Sequence, residues 1–146
     1  MSRSTPISAG DQLSPTITPP KTDRALKLAL RGIGLFMVFG FYPLTVVWPS
    51  GWAWQPPNPM YLHMLIGIYA VLGLFLLMAA REPARHVSLI YFTIWSSVVH
   101  SAVMAVHALH DRSQISHLWG DVPALLIAAI VLFVLAPRTV TLTPRQ

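Results

Sequence analysis

Residues Met60–Ala80 read MYLHMLIGIYAVLGLFLLMAA, 21 positions with His63 as the one conspicuous polar interruption. A bilayer core about 30 Å thick takes roughly 20 helical residues to cross. This run has that length without a charge. Asn58-Pro59 just ahead of it is a good helix start, with Asn as N-cap and Pro in the first turn. The stretch therefore reads as a transmembrane helix over 60–80, and the rest of the chain is organised around it.

Three further apolar runs flank it. The first covers 26–48, with Lys27 and Arg31 snorkelling at its entry and Pro43 expected to kink or end it locally. The third covers 87–109, after the charged turn Arg81-Glu82-Pro83-Ala84-Arg85-His86. The fourth covers 119–137; its strict apolar part, Val122–Ala136, is short, and Asp121 reads as its N-cap. Four spans joined by short connections predict an all-α, up-down-up-down four-helix bundle within 24–138. Residues 1–23 are rich in Ser, Thr and Pro and are expected to be a disordered tail, and 139–146 a short second tail. A cleaved signal peptide is not expected, because the first apolar run begins late and lacks a clean small-x-small site after it.

Composition agrees. The chain is 54% hydrophobic and 10% charged, against about 25% charged in a soluble domain. It has no cysteine, which excludes disulfides, thiolate metal sites and cysteine nucleophiles. The net charge of +5 comes from basic residues that flank apolar runs. That pattern signals topology and anionic lipid, and no basic-aromatic surface points to nucleic acid. Of ten Lys and Arg, nine fall on one side of a four-span chain: Arg3, Lys21, Arg24, Lys27, Arg31, Arg81, Arg85, Arg138 and Arg145. Only Arg112 falls on the other. Basic residues favour the cytoplasmic side, so both termini are expected in the cytoplasm of a bacterial inner membrane. Trp48, Trp52, Trp54 and Trp119 fall at the outer ends and are expected to form an interfacial belt.

The third span is the most polar. Thr93, Ser97, His100, Met104 and His107 alternate steps of four and three, which makes one stripe on a helix. Ser97, Ser101 and Ala105 repeat every four residues, a small-residue ladder that permits close helix packing. Polar residues in a membrane helix face the bundle interior, so this helix is expected to be central.

Five of the six histidines lie in or near the outer half, His86 being the exception. His63 and His107 have comparable depth on antiparallel spans, and His100 sits deeper. Haem b needs two imidazoles on facing helices, and a quinone needs a hydrogen-bonding group at its carbonyl; His63, His100 and His107 are the candidates. His110, His117 and Asp121, in or beside the last connection, are candidates for a metal. The competing reading for all of them is ordinary polar packing, with Asp121 as a cap. No acid falls within the strict apolar runs, which leaves a proton-coupled transporter dependent on His100. Hydrolase, nucleotide and zinc-protease motifs are absent, and no catalytic residue is marked.

YLHMLIGIYAVLGLFLLMAAREPARHVSLIYFTIWSSVVHSAVMAVHAL (61–109) followed by HLWGDVPALL (117–126) resembles a family of small bacterial four-span membrane proteins whose domain has no assigned function. The layout is also similar, by analogy only, to DoxX-like proteins. The resemblance implies an α-helical membrane protein and no catalytic residues. The reading favoured by the sequence is a non-enzymatic accessory or oligomeric membrane component, its partners the bilayer and a second copy or another membrane protein. The alternatives are a haem b or quinone protein and a small transporter.

Overall fold

The computed structural model describes residues 20–137. Of the tails expected over 1–23 and 139–146, residues 1–19 and the whole of the second lie outside the described residues, as do Arg3, Arg138 and Arg145, whereas 20–23 are helical. Among the described residues there is no strand. Six α-helices follow in order: α1 (Pro20–Leu35), α2 (Phe41–Val47), α3 (Pro49–Trp52), α4 (Pro59–Ala79), α5 (Val87–His110) and α6 (Asp121–Leu135). A π-helical turn over Phe36–Gly40 joins α1 to α2 without a break, so the two form one span of Thr22–Val47. Together with α4, α5 and the Arg112–Leu135 segment they make four helices long and apolar enough to cross a membrane. Large apolar side chains cover their outward faces: Phe39, Phe92, Trp95, Ile127 and Val134 are all exposed. A water-facing monomer rarely carries apolar cover on that scale. The chain is an all-α membrane four-helix bundle.

Local sequence accounts for the boundaries. α1 starts at Pro20, earlier than expected, because Pro suits the first turn and Asp23 bonds Lys27 at 2.7 Å one turn on. Pro43 does not end its helix. A proline ring clashes with the carbonyl four residues back, and the widened π turn just before it relieves that clash, with Phe41 N–H donating to Phe36 O. α4 starts as expected: Asn58 caps it, its Oδ1 accepting from Tyr61 N–H at 3.1 Å. Asp121, by contrast, is not a cap. Gly120 holds the cap position with no side-chain bond, and Asp121 is the first helical residue.

The bundle is built from two tight pairs. α1 packs on α4 where two glycines meet: a Cβ on Gly34 would lie 2.8 Å from Gly73 O, and one on Gly73 2.7 Å from Gly34 O. α5 packs most extensively on α6. Ser97 and Ser101 are buried in that pair, Ala105 is half-buried, and Ser101 Oγ–H donates to Val122 O at 2.9 Å. The junction between α4 and α5 is much looser. In lipid, association rests on close van der Waals contact and interhelical hydrogen bonds, so small residues decide which helices pair.

The two ends of the bundle differ. Lys21, Arg24, Lys27, Arg31, Arg81 and Arg85 belong to one, here the basic end; Trp48, Trp52, Trp54 and Trp119 belong to the other, the tryptophan end. The apolar core, including Leu26, Leu30, Leu76, Ile90, Ile94 and Leu132, fills the basic half. Most buried polar groups, Ser101, Gln114, His117 and Asp121 among them, fall in the tryptophan half. Thr93 lies nearer the basic end and satisfies itself, its Oγ donating to Leu89 O at 2.9 Å.

Replacing Gly73 by Leu drives a side chain into the Gly34 carbonyl. The expected cost is about 1–3 kcal/mol, read as a lower melting temperature of the detergent-purified chain. Gly67→Leu, where a Cβ would meet nothing within 4 Å, is the control and is expected to leave the melt unchanged.

Candidate functional site

The two connections at the tryptophan end fold inward. α3 turns Trp52 into the bundle, where it is 9% exposed and sits edge-on to Phe36 and Phe41, each 5.9 Å between ring centres. The sequence placed Trp52 in the interfacial belt; it is a core residue. The reason is the short helix Pro49–Trp52, which reverses the chain and leaves Trp48 outside in its place. Gln114, also fully buried, ties the connections together. Its Oε1 accepts from Gln55 N–H at 3.2 Å and its Nε2 donates to Gln55 O. Gly120 packs against the backbone of Gly51, leaving no room for a Cβ.

A 3₁₀ helix over Arg112–Leu118 carries His117 inward, and the turn at Trp119-Gly120 returns the chain into α6. Outside the spans, Asp111 starts that 3₁₀ helix by accepting from Ser113 N–H at 2.9 Å, which holds its carboxyl below the usual value. Inside, the i to i+4 spacing puts His117 Nδ1 3.0 Å from Asp121 Oδ2, with the two side chains 1% and 8% exposed. The contact is close but is not an aligned hydrogen bond. His117 Nδ1 and Nε2, Asp121 Oδ1 and Trp52 Nε1 are all buried and make no aligned hydrogen bond within the protein. A buried polar group left unpaired costs about 1–3 kcal/mol, whereas ordering a bridging water costs about 0–2 kcal/mol. The balance favours a polar occupant at this point.

Two cavities meet here. The first, about 410 Å³, lies between α1 and α6. Its wall is almost wholly apolar, with Phe36, Phe41, Ala124 and Ala128 among its lining, and its polar end is made by Tyr69, His100 and Asp121. Gly32 and Ile127 line it and are exposed on the outside of the bundle, so it opens sideways between helices. The second, about 120 Å³, lies at the loose α4–α5 junction below the tryptophan end. His63, Met104, His117, Trp54 and Tyr61 line it. Trp52, His100 and Asp121 line both. Across the α4–α5 junction, Tyr69 Oη and His100 Nδ1 form a hydrogen bond of 3.0 Å. Tyr69 also packs on Phe41, 5.1 Å between ring centres.

The structure treats the histidines singled out by sequence unequally. His100 is half-buried and central to the site. His63 is exposed on α4 and borders only the second cavity. His107 is exposed and edge-on to Trp54, 5.2 Å between ring centres. His117 and Asp121 come together, but His110 is exposed and bonded through Nδ1 to Val106 O at 2.8 Å. No three histidines or acids converge as a metal site among the described residues. Tyr69, Trp52 and Gln114 were not expected in the site. Only Tyr69 carried a signal, as a hydroxyl in the middle of the run 60–80; nothing marks a glutamine in a short connection as buried.

The chain belongs to a family of unknown function, DUF6632, whose model matches residues 19–145. No curated protein and no solved structure matches it.

Because Asp121 is buried against His117, Asp121→Ala is expected to destabilise the detergent-solubilised chain by about 1–3 kcal/mol. Asp111→Ala removes only an exposed cap and is expected to lower the melt less. Thermal melts of the two variants compare them; an equal loss would contradict the buried role given to Asp121.

Proposed function

We propose that this protein is a non-enzymatic accessory component of the membrane that binds a lipid-soluble ligand of the quinone class in the cavity between α1 and α6. The observation that carries this reading is the side-opening apolar cavity of about 410 Å³ that ends on the Tyr69–His100 hydrogen bond. Ligand sites are typically apolar hollows of roughly 300–1,000 Å³ with a few convergent polar groups. A ligand entering from lipid brings an apolar body and needs a polar end satisfied. With Tyr69 donating to His100 Nδ1, His100 Nε2 is free to carry the proton and donate it to a ring carbonyl. Phe36, Phe41 and Trp52 offer flat surfaces to a planar ring.

The haem reading draws less support. Axial ligation asks for two imidazoles aimed at one centre, whereas His63 and His107 are both exposed and His107 sits edge-on to Trp54. The same proposal places the protein in a bacterial inner membrane with the basic end in the cytoplasm. Six of the seven Lys and Arg at positions 20–137 support that orientation, Arg112 being the exception. Its partners would then be the bilayer and another membrane protein or a second copy.

Binding is measured by quenching of tryptophan fluorescence in lipid nanodiscs titrated with decylubiquinone. The wild-type chain is expected to show saturable quenching. Tyr69→Phe and His100→Leu are each expected to weaken it by about threefold to tenfold, the worth of one hydrogen bond. Ala128→Trp fills the cavity and abolishes saturation. Quenching that rises linearly and identically in the wild type and in Ala128→Trp would overturn the proposal. For orientation, alkaline phosphatase fused after Gln146 is expected to be inactive; an active fusion contradicts cytoplasmic termini.

A further inference from the structure

We propose that the second cavity is a hydrated proton-exchange site, in which the Asp121–His117 pair takes up and releases a proton to water entering from the tryptophan end. This goes beyond the quinone reading and stands whatever fills the first cavity.

Trp52, His117 and Asp121 are each more than nine-tenths buried, and all three line this cavity. Trp52 Nε1, both His117 ring nitrogens and Asp121 Oδ1 make no hydrogen bond within the protein there, although His117 Nδ1 lies 3.0 Å from Asp121 Oδ2. A buried water needs two to four polar partners and about 30 Å³. The cavity's volume of about 120 Å³ has room for a small cluster. Its chemistry selects water over the other candidates. An indole N–H donates, a carboxylate accepts, and an imidazole does either. No Lys or Arg lines the cavity to hold an anion. No three histidines or acids converge to hold a metal ion among the described residues.

The pair has few competitors. The titratable groups facing it are His100 on α5 and Tyr61, His63 and Tyr69 on α4. Among the lining residues, α1, α2 and α3 contribute none, and α6 contributes only Asp121. His63 lines this cavity and is exposed, and under this proposal water enters on its side. Asp121 and His100 also reach the first cavity, so the hydrated chamber ends at the polar tip of the lipid-open one. The step moves a proton between hydronium and the pair and breaks no other bond.

The chain has no cysteine, so each introduced thiol is the only one present. Met104→Cys lines the second cavity and Ala128→Cys the first. Aqueous Ag⁺, scored by blocked maleimide labelling after denaturation, is expected to react at least about tenfold faster with Met104→Cys, because a hydrated thiol reaches its thiolate and an apolar one does not. Leu62→Cys, on the same cavity, carries the comparison if Met104→Cys fails to fold. Equal or slower reaction than Ala128→Cys overturns the hydrated chamber. Infrared titration then tests the proton. With only five Asp and Glu in the chain, Asp121→Asn identifies the Asp121 carboxyl band. That band is expected to exchange on mixing with D₂O and to change its midpoint in His117→Gln. A band that does not exchange, or that ignores His117→Gln, overturns the exchange site. Neither measurement involves a quinone, so its failure is separate from failure of the ligand reading.

Discussion

Close helix contact in a membrane is possible only where side chains are small, and in this bundle that happens twice. Gly34 against Gly73 locks α1 to α4. Ser97 and Ser101, with the Ser101–Val122 hydrogen bond, lock α5 to α6. Lipid tails are as apolar as leucine, so nothing else pulls helices together as strongly. Everything between the two pairs is then held at the distance set by larger residues. At the basic end leucines and isoleucines fill that gap. At the tryptophan end Tyr69, His100 and the aromatic rings of Phe36, Phe41 and Trp52 span it without closing it. The cavities are the consequence of that division.

The inward-folding connections complete the arrangement. A backbone that leaves its helix at membrane depth must find hydrogen-bond partners in the protein. Gln114 supplies two for Gln55, and outside the spans the exposed Asp111 starts the 3₁₀ helix by accepting from Ser113. This scaffold carries His117 and Asp121 to a depth where the sequence read no buried acid. A transporter reading that lacked a buried carboxylate therefore has one in Asp121, but the volume, wall and lateral opening of the first cavity favour a lipid-soluble ligand.

The membrane fold was legible because it rests on the length and apolar composition of four runs. The second and third spans were expected at 60–80 and 87–109 and lie at Pro59–Ala79 and Val87–His110. The expected polar stripe is buried at Thr93, Ser97 and Met104 and half-buried at His100, but His107 turns outward. The site was less legible for a physical reason. A tryptophan beside an apolar run has the same pattern whether it faces outward, as Trp119 does, or the core, as Trp52 does. An aspartate before Val-Pro suits a cap and a buried contact with a histidine equally; the partner that decides, His117, is four residues back in a connection with no periodicity to read. The π turn before Pro43 was invisible because the sequence shows the clash and not its relief.

Membership of a family without an assigned function puts the weight on the cavity itself. The most direct test is photolabelling of the membrane-embedded protein with an azido-quinone, mapped by peptide mass spectrometry. The account predicts adducts on Phe36, Met37, Tyr69 and Ala128, which line the first cavity. Adducts confined to outward-facing side chains such as Phe75 and Phe92 would contradict it.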